Sequence, residues 1–450
     1  MNHKSIPPSS NVRLVSLIVR TALITSSFFI GVAQAADLRE VYKQAKTYDA
    51  EYLTAQFNLD AASRRVPLAK SAFRPQLTFG ANAGLGIRDN GTDNDGDYRD
   101  TALTLTLSQS LYNRSDKKLI DQAQLGALQA DAQYAAVGQT LILRVATSYF
   151  DVLRARASLQ FSQSELQAIS RQKDQAERRF DVGLVPITDV RSAQAQYDLA
   201  IAQEIAAANQ LSTAREALLR ISGLNTNDLS ILADDLPLTP PEPADIDQWV
   251  KIAKEQNLEL VIARLASESS NTQIDIERGN KRPTLSLVGT AAATTSDRAG
   301  LGDVNSAAIE LQLRLPILTG GRVKALVAQA RDQSRSSAEN VVAQERATTQ
   351  QTRDGYRGVL ASISRVKALR QALVSTQKSA EATEAGFRAG TRTSVEVLQA
   401  LRDTYRARSD YAGAKYDYII NSLNLKAASG TLAEEDIFAI NRFLVEVEKK

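Results

Sequence analysis

The 450-residue chain has no cysteine, one tryptophan, one methionine and one histidine, His3. With no Cys, and no His beyond position 3, it cannot assemble a Ser-His-Asp or Cys-His triad, a thiolate redox pair or the usual zinc site. No enzyme chemistry is indicated, and neither cofactor nor metal is expected. The missing Cys also removes disulfides and the acylated N-terminal Cys of a bacterial lipoprotein, so any membrane attachment has to come from the fold. Beyond the first 35 residues no segment reaches about 18 consecutive apolar residues, which excludes a membrane-spanning helix.

Residues 1–35 read as a secretory leader: Lys4, Arg13 and Arg20 precede an apolar core from Ala22 to Val32 and the small-residue site Ala33-Gln34-Ala35. Removing them takes three basic groups from 54, leaving 54 − 3 = 51 Lys and Arg against 51 Asp and Glu. A balanced chain gives no reason to expect nucleic acid as a partner.

What the remainder contains is a duplication. Phe180-Asp-Val-Gly-Leu-Val-Pro-Ile-Thr-Asp-Val190 recurs as Phe387-Arg-Ala-Gly-Thr-Arg-Thr-Ser-Val-Glu-Val397, at 387 − 180 = 207. Arg74-Pro75-Gln-Leu77 recurs as Arg282-Pro283-Thr-Leu285 at 208, and Ser222-Gly223 as Ser429-Gly430 at 207. A near-constant offset means that both copies keep the same elements at nearly the same lengths. The boundaries that follow are a signal peptide 1–35, a first repeat 36–223, a linker 224–245 rich in proline, a second repeat 246–430 and a C-terminal segment 431–450.

Within one repeat, residues from about Asp37 to Ala72 are rich in Ala, Leu, Lys and Glu and predict a helix, which Pro75 ends. Period-two alternation follows, with Leu77, Phe79, Ala81, Ala83, Leu85 and Ile87 opposed by Gln76, Thr78, Gly80, Asn82 and Gly84. The four strands fall at about 75–87, 101–112, 283–295 and 305–318. Their faces carry modest Leu and Ala on one side and Gly, Thr, Asn and Ser on the other. That pattern suits a wall between lipid and water as well as an ordinary sheet with one dry face. In lipid such a sheet must close, and four strands are too few, so oligomerisation is then obligatory. Between the strands, Asp93, Asp95 and Asp97 faintly imitate a calcium loop, but the following bidentate acid is missing and a solvated loop is the better reading. Asn90-Gly-Thr92 fits a glycosylation acceptor only formally.

From about 115 to 180 and from 322 to 387 there is no proline, and each stretch predicts one helix roughly 100 Å long. Val152, Leu159, Leu166 and Phe180 keep a heptad phase, as do Val359, Val366, Leu373, Ala380 and Phe387, so coiled-coil packing is expected. A returning helix follows each turn. Gly183 and Gly390 are helix-terminating glycines, and Asp189 and Glu396 stand in the first turn of the returning helices, where any acid is favoured.

These features together, above all Val182-Gly-Leu-Val-Pro-Ile-Thr-Asp-Val190 leading into Ala193-Gln-Ala-Gln-Tyr197 and its counterpart Gly390-Thr-Arg-Thr-Ser-Val-Glu-Val-Leu398, resemble the TolC family of outer-membrane efflux and secretion channels. The likeness is to its branch without a lipid anchor. The resemblance implies a mixed α and β fold built from a tandem helix–strand–strand–long helix–helix repeat. It also implies a homotrimer whose 12-stranded transmembrane β-barrel continues into an α-helical coiled-coil tunnel. It implies outer-membrane lipid around the barrel, and a periplasmic adaptor and an inner-membrane RND or ABC transporter at the tunnel end. The matching constriction residues are Asp189, Arg392 and Glu396, with Phe387 where the family has tyrosine and Gln399 where it has a second acid. Gly183, Leu184, Val185, Pro186, Thr188, Gly390, Thr391 and Ser394 match the adaptor-docking turns. The function implied is a passive exit duct; a periplasmic adaptor or scaffold with coiled-coil hairpins is the rival.

Overall fold

A computed structural model describes residues 36–88, 96–225, 228–233, 235–297 and 302–445. The leader, Asn90-Gly-Thr92, Asp93 and Asp95 lie outside the described residues. Each repeat opens with two helices where the sequence predicts one: α1 (Leu38–Tyr48) and α2 (Ala50–Lys70). The break is a cap. Asp49 takes an extended conformation and its carboxylate accepts from the Tyr52 N–H at 2.8 Å, satisfying one of the donors a new helix leaves orphaned.

Two strands follow, β1 (Gln76–Arg88) and β2 (Gly96–Tyr112), then the long helix α3 (Arg114–Asp181) and the returning α4 (Ile187–Ser222). After a short strand β3 (Ile231–Leu232) the second repeat gives α5 (Ile246–Gln256), α6 (Leu258–Gly279), β4 (Thr284–Ser296), β5 (Val304–Arg314), α7 (Arg322–Arg388) and α8 (Ser394–Ser429). Asn257 repeats the Asp49 cap 257 − 49 = 208 residues later, accepting from the Leu260 N–H at 3.0 Å. The chain closes with α9 (Glu434–Asn441) and β6 (Leu444–Val445).

The four long strands form one antiparallel sheet in the order β1-β2-β4-β5, so the second strand of one repeat pairs with the first strand of the next. Register keeps like with like. Phe79 stands opposite Leu105, Leu105 opposite Ala291, and Ala291 opposite Ala307, while Thr78, Thr106 and Thr290 share the other face. Among the described residues of the single chain the apolar face has no cover: Leu85 is 83% exposed and Ile309 80%. Among the described residues β1 and β5 are left as open edges.

α3 packs on α2 and α6 along its first half and on α4 and α8 along its second; α7 packs likewise on α6 and α8. The heptad residues Val152, Val359, Val366, Ala380 and Phe387 are buried on these seams. Where partners change, the C-terminal end of α8 abuts the start of α6. Asn257 Nδ2 donates to the Ala428 carbonyl at 3.0 Å, and Gly430, at φ +77°, comes so near the Gln256 carbonyl that a Cβ there would collide. The two joints differ chemically. Asp49 is held by Arg144 at 2.8 Å, whereas Asn257 meets the fully buried Thr348 at 3.4 Å.

Around these joints α1, α5 and α9 wrap the long helices and close the main core, in which Leu38, Val145, Tyr149, Phe150, Leu425 and Ile437 are fully buried. Phe150 stacks on Tyr416 at 5.5 Å, and the Tyr149 hydroxyl donates to the Ser230 carbonyl at 2.8 Å. The proline-rich stretch 224–245 is more than an extended connector, because Leu229 and Leu232 enter this core and Ile231 pairs with Val445. Burying an aliphatic side chain is worth about 1.5–3 kcal/mol, reason enough for the chain to fold inward there.

Candidate functional site at the helix tips

The two hairpin turns use the same backbone device. Gly183 has φ +77° and Gly390 φ +78°, the left-handed conformation that spares a Cβ the clash other residues meet. The Leu184 N–H donates to the Arg179 carbonyl at 2.8 Å and the Thr391 N–H to the Gly386 carbonyl at 2.9 Å, tying off the ends of α3 and α7.

The helices that leave the turns are capped differently, and this decides which acid is free. In the second turn Thr393 caps α8: its hydroxyl accepts from the Glu396 N–H at 3.3 Å, and Glu396 reaches back to accept the Thr393 N–H at 2.7 Å. The other Glu396 oxygen accepts from the Arg392 guanidinium at 2.7 Å. The Thr393 backbone N–H, then Arg392 and the Thr393 hydroxyl, hold the Glu396 carboxyl down at about 2. In the first turn the equivalent of Thr393 is Pro186, which has no N–H to give. The Asp189 carboxylate, at the position of Glu396, therefore has no reciprocal cap and makes no hydrogen bond or ion pair among the described residues. Only its own N–H is engaged, to the Pro186 carbonyl.

The turns also differ in surface chemistry. Leu184, Pro186 and Thr188 are exposed and Val185 half-buried, giving the first turn an apolar tip; Thr391 and Arg392 expose polar groups at the second. Ser394 opens α8, and its side chain lies outside the described residues. Phe387 points inward, 8% exposed, with the Arg179 guanidinium 4.3 Å above its ring. Gln399 is exposed and donates to Asp403 at 3.0 Å.

The chain matches the family described as outer membrane efflux protein over residues 41–224 and 249–431, one segment for each repeat. The chain belongs to the outer membrane efflux protein family. It is 35% identical over 443 residues to Outer membrane protein TolC of Vibrio cholerae serotype O1, covering 97% of this chain and 100% of that protein. It is 28% identical over 426 residues to the Proteases secretion protein PrtF of Dickeya chrysanthemi, covering 91% of each. Among solved structures, the outer membrane protein VceC of Vibrio cholerae superposes with a TM-score of 0.73 at 17% identity, covering 87% of this chain and 96% of that one.

As a member of the outer membrane efflux protein family the chain is an outer-membrane channel protein, and the adaptor reading is withdrawn. Contacts that the motifs did not announce hold its two hairpins together; Gln196 and Leu398 lie within the quoted motifs, whereas Glu165, Ile169, Ala200 and Arg402 do not. Arg402 on α8 reaches Glu165 on α3 at 3.2 Å and Gln196 on α4 at 2.8 Å, and Leu398 packs with Ile169 and Ala200. Burial pushes the Glu165 carboxyl up, and Arg402 opposes that shift. Their sequence signal is slight, since each is one charged or apolar residue in a long helix.

Proposed function

We propose that three copies of this chain close one 12-stranded barrel in the outer membrane and that their helices form a tunnel below it. The protein is then a passive exit duct, opened at its periplasmic tip by an adaptor and an inner-membrane transporter. One observation carries this: a four-stranded sheet whose apolar face is uncovered and whose edges, β1 and β5, are unpaired. An open edge cannot sit in lipid, so copies must supply the missing pairs. Two copies would give eight strands, an interior that side chains nearly fill, whereas twelve leave room for passage. α2 supports the same reading. Leu68 on α2 is 71% exposed, while its repeat equivalent 208 residues on, Ile276, is 5% exposed because α6 also packs on α3. The uncovered face of α2 is where a neighbouring α7 fits.

Outer-membrane fractions run unboiled on a denaturing gel test this: a three-copy species that collapses to the monomer on boiling is expected. Monomer mobility without boiling, or recovery with soluble periplasmic proteins, contradicts the reading. Cargo follows the partner pump, in keeping with relatives named for efflux and for protease secretion.

At the tunnel mouth, Asp189 of one copy pairs with Arg392 of the next in the closed state, Glu396 faces the pore, and the exposed turns receive the adaptor. Because its carboxyl sits near 2 rather than at the ordinary 4.5, Glu396 stays ionised through the mildly acidic range. Its support of the α8 cap is complete above about 4.5 and is lost as pH falls through about 2. Block of single channels by polyvalent cations should therefore persist from pH 7 to about 4 and be reduced at every pH by Glu396→Ala. Loss of block with a midpoint near 4.5 contradicts the capped geometry.

A further inference from the structure

Charge is spread unevenly along the sheet axis. At the end where β1 and β4 begin, the chain carries Lys70, Arg74 and Lys117 from the first repeat and Arg278, Arg282 and Lys324 from the second, all exposed. The pairs are repeat equivalents, with 278 − 70 = 208, 282 − 74 = 208 and 324 − 117 = 207. At the opposite end the described residues include Asp97, Asp100, Asp297 and Asp303, with Arg99 among them. The basic end also holds Asp116, Asp121, Asp275 and Glu277, fewer than its cations, which further include Arg114, Lys118, Lys281, Arg314 and Arg322. Since the two signs balance over residues 36–450, this is a local bias and not a general basicity.

We infer that these six side chains form a collar that binds the headgroups of anionic glycerophospholipids in the periplasm-facing leaflet of the outer membrane. The inference rests on the barrel reading, which puts the strand ends at a membrane surface. β1 and β4 have 13 residues each, long enough when tilted to cross a hydrocarbon layer about 30 Å thick. Arg74 and Arg282 precede these strands by two residues, across Pro75 and Pro283, and so stand at headgroup depth.

Protein contacts do not consume the charges. Arg278 meets Asp275 at 3.2 Å, and the other five make no ion pair among the described residues. Elsewhere the same chain spends its arginines on partners, as with Arg144, Arg154 and Arg402. Beside the collar, directly after β5, Ile317 and Leu318 are 91% and 92% exposed. Cations next to bare aliphatic side chains suit a ligand with a phosphate above acyl chains, and do not suit free phosphate. Juxtamembrane basic groups attract anionic lipid in this way. Duplication writes the collar twice per chain, so the closed barrel would carry it around its whole circumference.

The test uses the full-length protein in phosphatidylcholine bilayers containing trace spin-labelled phosphatidylglycerol or spin-labelled phosphatidylcholine. The motionally restricted fraction of each label is measured. Wild type should restrict phosphatidylglycerol about fivefold more strongly than phosphatidylcholine. The ratio should fall toward one in the variant combining Arg74→Gln, Lys117→Gln, Arg282→Gln and Lys324→Gln, and in wild type at about 1 M salt, where the screening length is about 3 Å. Excess inorganic phosphate should leave it unchanged. A wild-type ratio near one, a ratio unmoved in the variant, or displacement by inorganic phosphate overturns the collar while leaving the barrel standing. If neither label shows a restricted fraction, the barrel reading fails and the collar with it.

Discussion

Replacing Asp189 and Arg392 together by alanine is expected to raise single-channel conductance in planar bilayers, because it removes the pairs proposed to hold the tips closed. The physical case starts from the two caps. Glu396 already spends one oxygen on Thr393 and the other on Arg392, whereas Pro186 leaves Asp189 with nothing of its own to bind. Arg392 has five donors and can hold Glu396 on its own helix while accepting a second carboxylate from a neighbour. Exposed pairs of this kind are worth about 0.2–1 kcal/mol each, so three in the proposed symmetric ring would hold the closed state by about 0.6–3 kcal/mol. Their loss would shift the closed-to-open ratio roughly three- to 150-fold. Unchanged conductance in well-folded oligomers would remove Asp189 and Arg392 from the gate.

Phe387 changes how that gate is read. The family resemblance reads it as a tyrosine without its hydroxyl. In the fold, its ring is buried under Arg179, so it ties the tip of α7 to that of α3 within one chain. A cation over an aromatic face contributes about 0.5–1 kcal/mol at an exposed site, comparable to the hydrogen bond the hydroxyl would have offered. Gln399 likewise turns to Asp403 on its own helix, donating to it at 3.0 Å.

The duplication and the alternating strands were readable from residues alone because both are periodic, and periodicity survives without any knowledge of partners. Departures confined to one residue were harder. Asp49 and Asn257 each split a helix, although each stands in a helical composition that points to continuity; the caps are legible only once Tyr52 and Leu260 are known to donate to them. Leu229 and Leu232 were hidden by the prolines around them. Glu165, Gln196 and Arg402 meet across three helices, and no spacing in sequence announces such a meeting. The free acid at Asp189 could have been found, since Pro186 against Thr393 is plain in the aligned turns; what was needed was to ask which N–H each cap supplies.

Cysteine pairs across the proposed subunit seam should give a covalent ring of three copies, and duplication fixes where to put them. Leu77 faces Leu107 in one repeat and Leu285 faces Leu313 in the other, so β1 maps to β4 by 285 − 77 = 208 and β2 to β5 by 313 − 107 = 206. Within the chain Thr106 on β2 faces Thr290 on β4. Carrying that pair to the open edges, 106 + 206 and 290 − 208, sets Gln312 of one copy opposite Asn82 of the next. Both lie on the polar face, and partners in such a pair stand about 4.5–5.5 Å apart at Cα, within disulfide reach. The chain has no cysteine of its own, so background is nil.

The most direct measurement oxidises outer membranes carrying the Asn82→Cys and Gln312→Cys double variant and resolves the products without reductant. A boiling-resistant trimer that reduction returns to monomer is the predicted result, with Gly84→Cys in place of Asn82→Cys giving far less of it because the register is off by two residues. Monomer alone, or crosslinking indifferent to register, would contradict a barrel closed by β5 of one copy on β1 of the next.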